Sequence, residues 1–323
     1  MVTPKVAILG TRYPDLTIEE AVLHPVGAAL VSAPGRNEDE IVATTEGASV
    51  ILAGSSPRFT RSVLERLDGC RGIVRAGIGV DSVDLAAAAD LDMWVVNVPD
   101  YGTEAVAQHT LAMALAATRR LGEADSIVKR GGWGFAGLRP LHAPGMLTAG
   151  VVGFGRIGRR VAGLLLSVGY GRLLAHDPLN EPDAHRVEPA SLSQLLAESD
   201  LVCLHAPPPG GGMPMLGSAE LGLMKPNSVL VNCARGSLID QGALAAALWA
   251  GAPRLAALDV FEPEPPDLSI FQTVTDRLLL SPHMAWYTEE SEADLRRQSA
   301  EEAKRILTGE APLHPVVKRK EAQ

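Results

Sequence analysis

The stretch Thr148-Ala149-Gly150-Val151-Val152-Gly153-Phe154-Gly155-Arg156-Ile157-Gly158 decides how this chain is read. An apolar run of strand length passes into glycines spaced G-x-G-x-x-G and then into a helical pattern. Gly153 permits the tight turn, Gly155 lets backbone approach a pyrophosphate, and Gly158 lets helix pack on strand. Arg156 and Ile157 begin a helix whose free N–H groups and positive dipole end would face phosphates. Asp177 closes the next apolar run, near the spacing expected of an acidic ribose ligand. A carboxylate there suits free ribose hydroxyls and repels a 2′-phosphate, and no arginine stands at positions 178–180 to hold one. NAD is therefore the expected cofactor, in preference to NADP.

Outward from this motif, strand-length apolar runs alternate with longer helical patterns. Downstream, the runs are 149–154, 172–177, 201–206, 228–234, 255–261 and 278–281. Ser191 and Asp240 are placed to cap the helices that follow them, and a last helix is expected near 290–307, stopped by Gly309. Upstream, strands are expected at 6–9, 49–53, 72–76 and 93–98, with helices near 18–30, 60–67 and 83–89. An Ala/Leu-rich helix over 103–121 and a Gly/Trp/Pro-rich loop over 131–145 join the two series. Such alternation predicts parallel sheets with crossover helices, and strands this uniformly apolar predict sheets covered on both faces.

Three segments end strands of the second series: Val231-Asn232-Cys233-Ala234-Arg235-Gly236, Ala257-Leu258-Asp259-Val260-Phe261-Glu262-Pro263-Glu264-Pro265, and Ser281-Pro282-His283-Met284-Ala285-Trp286-Tyr287. The C-terminal edge of an open parallel sheet is where ligands bind, so Arg235, Glu264 and His283 are expected to converge beside the cofactor. That trio suits hydride transfer to a 2-oxo acid. A guanidinium can hold the carboxylate and polarise the neighbouring carbonyl. A histidine can give a proton to the oxygen as it gains charge, and a glutamate on its other ring nitrogen fixes the tautomer. Taken singly, each has a plainer reading: a surface ion pair, a solvated loop residue, a histidine bound to a carbonyl.

Bulk properties exclude several other classes. The 323 residues imply about two domains, and a net charge of -9 without clustered Lys and Arg outside one short run makes the chain a poor nucleic-acid binder. The basic run Lys318-Arg319-Lys320 reads as a solvated tail. Cys70, Cys203 and Cys233 are scattered, with no zinc spacing, so no metal is expected. Neither a signal segment nor a membrane span is expected, which places the chain in the cytoplasm. The remaining histidines, 24, 109, 142, 176, 185, 205 and 314, have no acidic partner at a telling spacing and read as surface, loop or core residues.

The stretches GIVRAGIGVDSVDL, VVNVPDYGTEAVAQHTLAMAL, GVVGFGRIGRRVA, NCARGSLID, ALDVFEPEP and SPHMAWYTEE, in this order, resemble the D-isomer-specific 2-hydroxyacid dehydrogenase family over nearly the whole chain. The resemblance implies a Rossmann NAD-binding domain, 101–287, inserted in a flavodoxin-like substrate domain made of 1–100 and the returning segment 288–323. It implies that Arg235, Glu264 and His283 are catalytic, and that Asp259 takes the nicotinamide carboxamide. Cys233 and Ala234 would line the nicotinamide side, with Pro207 also touching the cofactor. Substrate would lie in the interdomain cleft near Ile78 and Gly79, a small 2-oxo or 2-hydroxy acid with no nucleic-acid or membrane partner. A homodimer built around the 103–121 helix is implied as well.

PHMAWYTEE and Arg75 look most like the C-terminal binding protein branch, where Arg75 and Trp286 would contact substrate. That branch also permits a rival reading, a non-catalytic NAD(H)-sensing dimer that recruits partners. Retention of Glu264 argues against a formate dehydrogenase, which has Gln there. Two departures stand out. Pro207-Pro208-Pro209-Gly210-Gly211-Gly212 replaces the family's Leu-Thr loop, and Gln108 stands where an acid is common. Ala53-Gly54 occupies the strand end where phosphoglycerate dehydrogenases carry arginine, and no regulatory domain is expected at the C-terminus.

Overall fold

The computed structural model describes residues 3–11, 13–180, 182 and 186–319; His185 and Lys320 lie outside the described residues. The strands run in chain order as β1 (Lys5–Leu9), β2 (Ala29–Ala33), β3 (Ala48–Ala53), β4 (Gly72–Arg75) and β5 (Trp94–Val96). There follow β6 (Thr148–Val152), β7 (Arg172–His176), β8 (Glu188–Pro189), β9 (Leu201–Leu204), β10 (Val229–Asn232), β11 (Leu255–Leu258), β12 (Leu278–Leu280) and β13 (Pro315–Val317). The chain divides into two compact units, one of Met1–Gly102 with Thr288–Gln323, the other of Thr103–Tyr287.

The first unit holds a sheet ordered β13-β5-β4-β3-β1-β2, parallel throughout except that β13 pairs antiparallel with β5. Its parallel part follows the flavodoxin-like strand order. Alternation along the strands sorts the core into two layers. Ala7, Leu9, Ile51, Ala53, Ile73 and Val95 pack on one face, while Val6, Ile8, Val50, Leu52, Val74 and Val96 pack on the other. The helix Glu289–Thr308 returns to the second of these layers through Ala300, Ala303 and Ile306. Its Arg296 forms a buried pair with Glu19 at 2.7 and 2.8 Å and lies 4.5 Å over the ring of Tyr13. Burial pushes the Tyr13 hydroxyl up to about 12.

The second unit holds a parallel sheet ordered β12-β11-β10-β9-β6-β7-β8, the doubly wound order, in which the chain reverses direction across the sheet between β6 and β9. Here too one residue in two serves each face. Val151, Leu173, Cys203, Val231 and Ala257 meet the helices Thr103–Thr118 and Arg156–Ser167 on one side. Val152, Leu174, Val202, Leu230 and Ala256 meet the Gln241–Ala250 side on the other. Ser191 and Asp240 cap their helices by accepting from Gln194 N at 3.2 Å and Ala243 N at 2.9 Å. Among the described residues no helix is long and apolar enough to cross a membrane.

Some expected elements shift. The helix expected over 18–30 stops at Leu23, because Pro25 follows and Gly27 turns left-handed at φ 76°; the chain then leaves as β2. As an outer strand, β2 lacks the uniformly buried run that marks its neighbours. The helix expected over 103–121 ends at Thr118, and Arg120, at φ 54°, starts a separate helix Leu121–Lys129. The sheet gains a seventh strand, β8, whose Glu-Pro pair carries no apolar signal.

Candidate active site

Packing accounts for the glycine motif position by position. Gly153 has φ +90°, and a Cβ there would lie 2.4 Å from the Ala206 nitrogen. A Cβ on Gly158 would lie 2.0 Å from the Gly153 carbonyl oxygen, so only glycine lets the helix sit this close to the strand. Gly155 differs, since a Cβ there would meet nothing within 4 Å. No protein neighbour requires that glycine; it leaves clear the approach to the N-terminus of the helix Arg156–Ser167. An open cradle at one glycine between two packed ones fits a pyrophosphate. Arg156 is exposed and Ile157 half-buried at this helix start.

Asp177 ends β7 with its carboxylate turned back on the motif. It accepts from Phe154 N at 2.6 Å, Leu179 N at 2.8 Å and Asn180 N at 3.0 Å. Partial burial raises its pKa, but these backbone donors outweigh that and hold the carboxyl below the usual range. Asp177 thus braces the glycine loop and also makes the turn before Pro178. Pro207 is exposed on the loop that follows β9.

The catalytic candidates sit on three consecutive strand ends. Arg235 follows β10, and a Cβ on the next residue, Gly236, would fall 2.0 Å from the Phe261 carbonyl carbon. This glycine lets the arginine segment press against the backbone that leads to Glu264. Buried Asn232 fixes the same turn, its amide donating to Arg235 O at 2.8 Å and its oxygen accepting from Ala234 N at 3.0 Å. Glu264 accepts from Phe261 N at 3.0 Å through one oxygen and meets His283 Nδ1 at 2.6 Å through the other. Partial burial raises the Glu264 pKa; the His283 and Phe261 bonds, with the charges of His283 and Arg235, outweigh it and hold the carboxyl below its usual range. His283 stands at φ 52°, a left-handed conformation uncommon for a residue with a Cβ. Its side chain is 42% exposed, so the ring is held on one edge and open on the other.

The other expected positions fall into place as follows. Asp259 is buried, its carboxylate taking the Ser281 hydroxyl at 2.6 Å and the Met284 and Ala285 N–H groups at 2.9 Å each. The Cys233 thiol lies 3.8 Å from the sulfur of Met113, and burial pushes it up to about 12; Ala234 beside it is half-buried. Trp286 donates its indole N–H to His283 O at 3.2 Å and packs edge-on against Tyr287. In the first unit, the Arg75 guanidinium donates to Ala76 O at 2.5 Å and fills the space beside Gly77; Ile78 accepts through its carbonyl from Asn97. Gly79 is half-buried on the same loop.

Sequence spacing offers His109 no telling acidic partner; in the fold its Nε2 stands 3.0 Å from Ser281 Oγ and 3.7 Å from Asp259 Oδ1. The two residues lie too far apart in sequence for spacing to reveal the contact. Asn232, Ser281 and Gly236 were also missed as site-building residues; a buried asparagine closing an apolar strand was the available signal.

A glycine-bound helix start on a doubly wound parallel sheet, with an arginine and a glutamate–histidine pair on neighbouring strand ends, defines a dinucleotide-binding α/β domain. Residues 111–285 match the model of the D-isomer specific 2-hydroxyacid dehydrogenase, NAD binding domain, and the chain belongs to that family. NAD is accordingly its cofactor. Relatives include a D-3-phosphoglycerate dehydrogenase of Methanocaldococcus jannaschii, 35% identical over 90% of this chain and 55% of that protein. A glyoxylate reductase of Aeropyrum pernix is 32% identical over 96% of this chain and 92% of its own. The crystal structure of an Aquifex aeolicus D-lactate dehydrogenase complexed with NAD and lactic acid superposes with a TM-score of 0.87. It shares 26% identity and covers 98% of this chain and 100% of that one. The chain spans about half the length of the phosphoglycerate dehydrogenase it matches.

Proposed function

We propose that the chain is an NAD-dependent dehydrogenase that interconverts a 2-oxo acid and a D-2-hydroxy acid. The carrying observation is the His283–Glu264 pair at 2.6 Å, on a carboxylate that also feels the charge of Arg235. Gly153, Gly155, Arg156, Ile157 and Gly158 would hold the cofactor phosphates and Asp177 the ribose, with Pro207, Cys233, Ala234 and Asp259 nearby. When bound, the nicotinamide supplies or accepts the hydride. Arg235 binds the substrate carboxylate and draws electron density from the adjacent carbonyl. Because Nδ1 of His283 is engaged by Glu264, Nε2 is the nitrogen left to face substrate. It donates a proton to the carbonyl oxygen in reduction and takes it back in oxidation. Glu264 holds the ring in that orientation through the 2.6 Å bond to Nδ1.

Arg75, Ile78, Gly79 and Trp286 are read as substrate-binding. The names of the relatives favour a short 2-oxo acid, and Trp286 with Tyr287 favours one with an apolar side chain. A homodimer fits the apolar residues left in water just beyond the Ala/Leu-rich helix, with Trp133 92%, Phe135 64% and Met146 80% exposed.

Initial rates with a panel of 2-oxo acids, using NADH and NADPH in parallel, test the reading. Arg235→Ala should abolish reduction while NADH binding, followed by fluorescence titration, persists. Unchanged turnover in that variant would remove Arg235 from its role. A wild-type chain that binds NADH yet reduces no member of the panel would favour the NAD-sensing binding protein instead.

A further inference from the structure

We propose that His109 is a positioning residue for the reaction, acting through Ser281 and Asp259 on the segment that carries His283. The inference rests on the acid–base reading of His283 and adds a group in the helix Thr103–Thr118, which touches neither substrate nor cofactor in that reading.

The chain of contacts is short and directional. Asp259 is 1% exposed, and its three oxygens all hold one turn. Its carbonyl accepts from His283 N at 2.8 Å, Oδ1 accepts from Met284 N at 2.9 Å, and Oδ2 accepts from Ala285 N at 2.9 Å. Three consecutive N–H groups are thereby fixed on one residue. This is the support a left-handed His283 needs, since an unfavoured backbone conformation persists only where its surroundings over-determine it. Oδ1 takes one further hydrogen bond, from Ser281 Oγ at 2.6 Å.

Proton counting then assigns the role of His109. A serine hydroxyl has one proton, and the short bond to a carboxylate claims it. Ser281 Oγ therefore faces His109 Nε2, 3.0 Å away, with a lone pair, and the imidazole must be the donor. The same Nε2 lies 3.7 Å from Asp259 Oδ1, so its N–H dipole also points toward the buried carboxylate. His109 thus locks the serine in the rotamer that serves Asp259. Without it, the hydroxyl is free to turn to another acceptor, such as the Met113 sulfur 3.8 Å away. Asp259 would then hold the His283 turn with one donor fewer, and the proton-donating nitrogen would be less well aimed.

His109→Leu, His109→Gln and Ser281→Ala separate this from mere packing. With the Leu variant, kcat should fall about tenfold while KM for NADH and NADH affinity stay within about twofold, as expected when aim rather than binding is lost. The Gln variant keeps an N–H donor and should recover to within about threefold of wild type. The Leu/Ala double variant should be no slower than Ser281→Ala alone, because the two act in series. Wild-type kcat in the Leu variant, equal impairment of Leu and Gln, or additive losses would each overturn the proposal. Should the Leu variant fail to fold, the tautomer of His109 in the wild-type chain decides: 15N imidazole shifts should show Nε2 protonated, and a bare Nε2 overturns it. That measurement needs no turnover. A wild-type chain inert toward all 2-oxo acids would remove the reading of His283 and leave the tautomer result standing. A normal His109→Leu enzyme beside a dead Arg235→Ala enzyme would remove only the present inference.

Discussion

Gly236→Ala places one methyl group where the site has no room for it. A Cβ at this position would lie 2.0 Å from the Phe261 carbonyl carbon, 2.2 Å from its oxygen and 2.5 Å from its Cα. These are backbone atoms, so no side chain can rotate out of the way. The Arg235 turn and the segment leading to Glu264 must part by roughly 1.5 Å before an ordinary carbon–carbon contact is restored. In the proposed reaction Arg235 and the Glu264–His283 pair serve one substrate, and a misplacement of even about 1 Å costs about 100-fold in rate. Overpacking should also destabilise the second unit by about 1–3 kcal/mol, lowering its melting temperature by several degrees. Steady-state kinetics on the best 2-oxo acid, a thermal melt and an NADH titration make up the assay. The expected pattern is a collapsed kcat, a lower melting point and nearly unchanged NADH affinity, since the glycine loop is built on other strands. A variant with wild-type kcat would refute the claim that close approach of these two backbones aligns the site.

Two other substitutions probe charge. In Glu264→Gln the amide keeps the contact to His283 but loses the carboxylate charge. The pair is 42% and 37% exposed, so about 1 kcal/mol is at stake, and kcat for reduction should fall about fivefold with NADH affinity unchanged; an unmoved kcat would contradict the assignment. Asp177→Ala removes both the charge proposed to face the ribose and the acceptor of Phe154 N. NADH affinity should drop while the NADPH-to-NADH preference rises by about tenfold, and an unaltered preference in parallel titrations would count against the ribose contact.

The legible parts of the chain were those where a periodic or local signal coincides with the structure. The buried strands alternate their side chains between two apolar layers, so uniformly apolar runs of strand length marked β3, β6, β9, β10 and β11. Outer strands carry less signal: β2 was absorbed into a helix, and β8 is a Glu-Pro pair. At the site, residues on strand ends could be inferred because topology sends every such end to the same edge. His109 could not, since its value comes from a serine 172 positions away and from a carboxylate between them in sequence. Gly236 was visible as a residue but not as a constraint. Only the Phe261 backbone beside it shows why no side chain is allowed.

The pairing of β13 with β5 has a consequence for how the protein is made. The sheet of the first unit needs residues from both sides of the second unit, whereas every strand of the second unit lies within one uninterrupted stretch. During synthesis the second unit is complete while the helix Glu289–Thr308 and β13 are still to emerge from the ribosome. The earlier strands β1 to β5 must wait, with Leu23 and the apolar layer that Ala300, Ala303 and Ile306 will cover still open to solvent. The vulnerable moment for this chain is therefore the interval before the helix Glu289–Thr308 and β13 arrive, and chaperone demand should concentrate on the segment that carries β1 to β5.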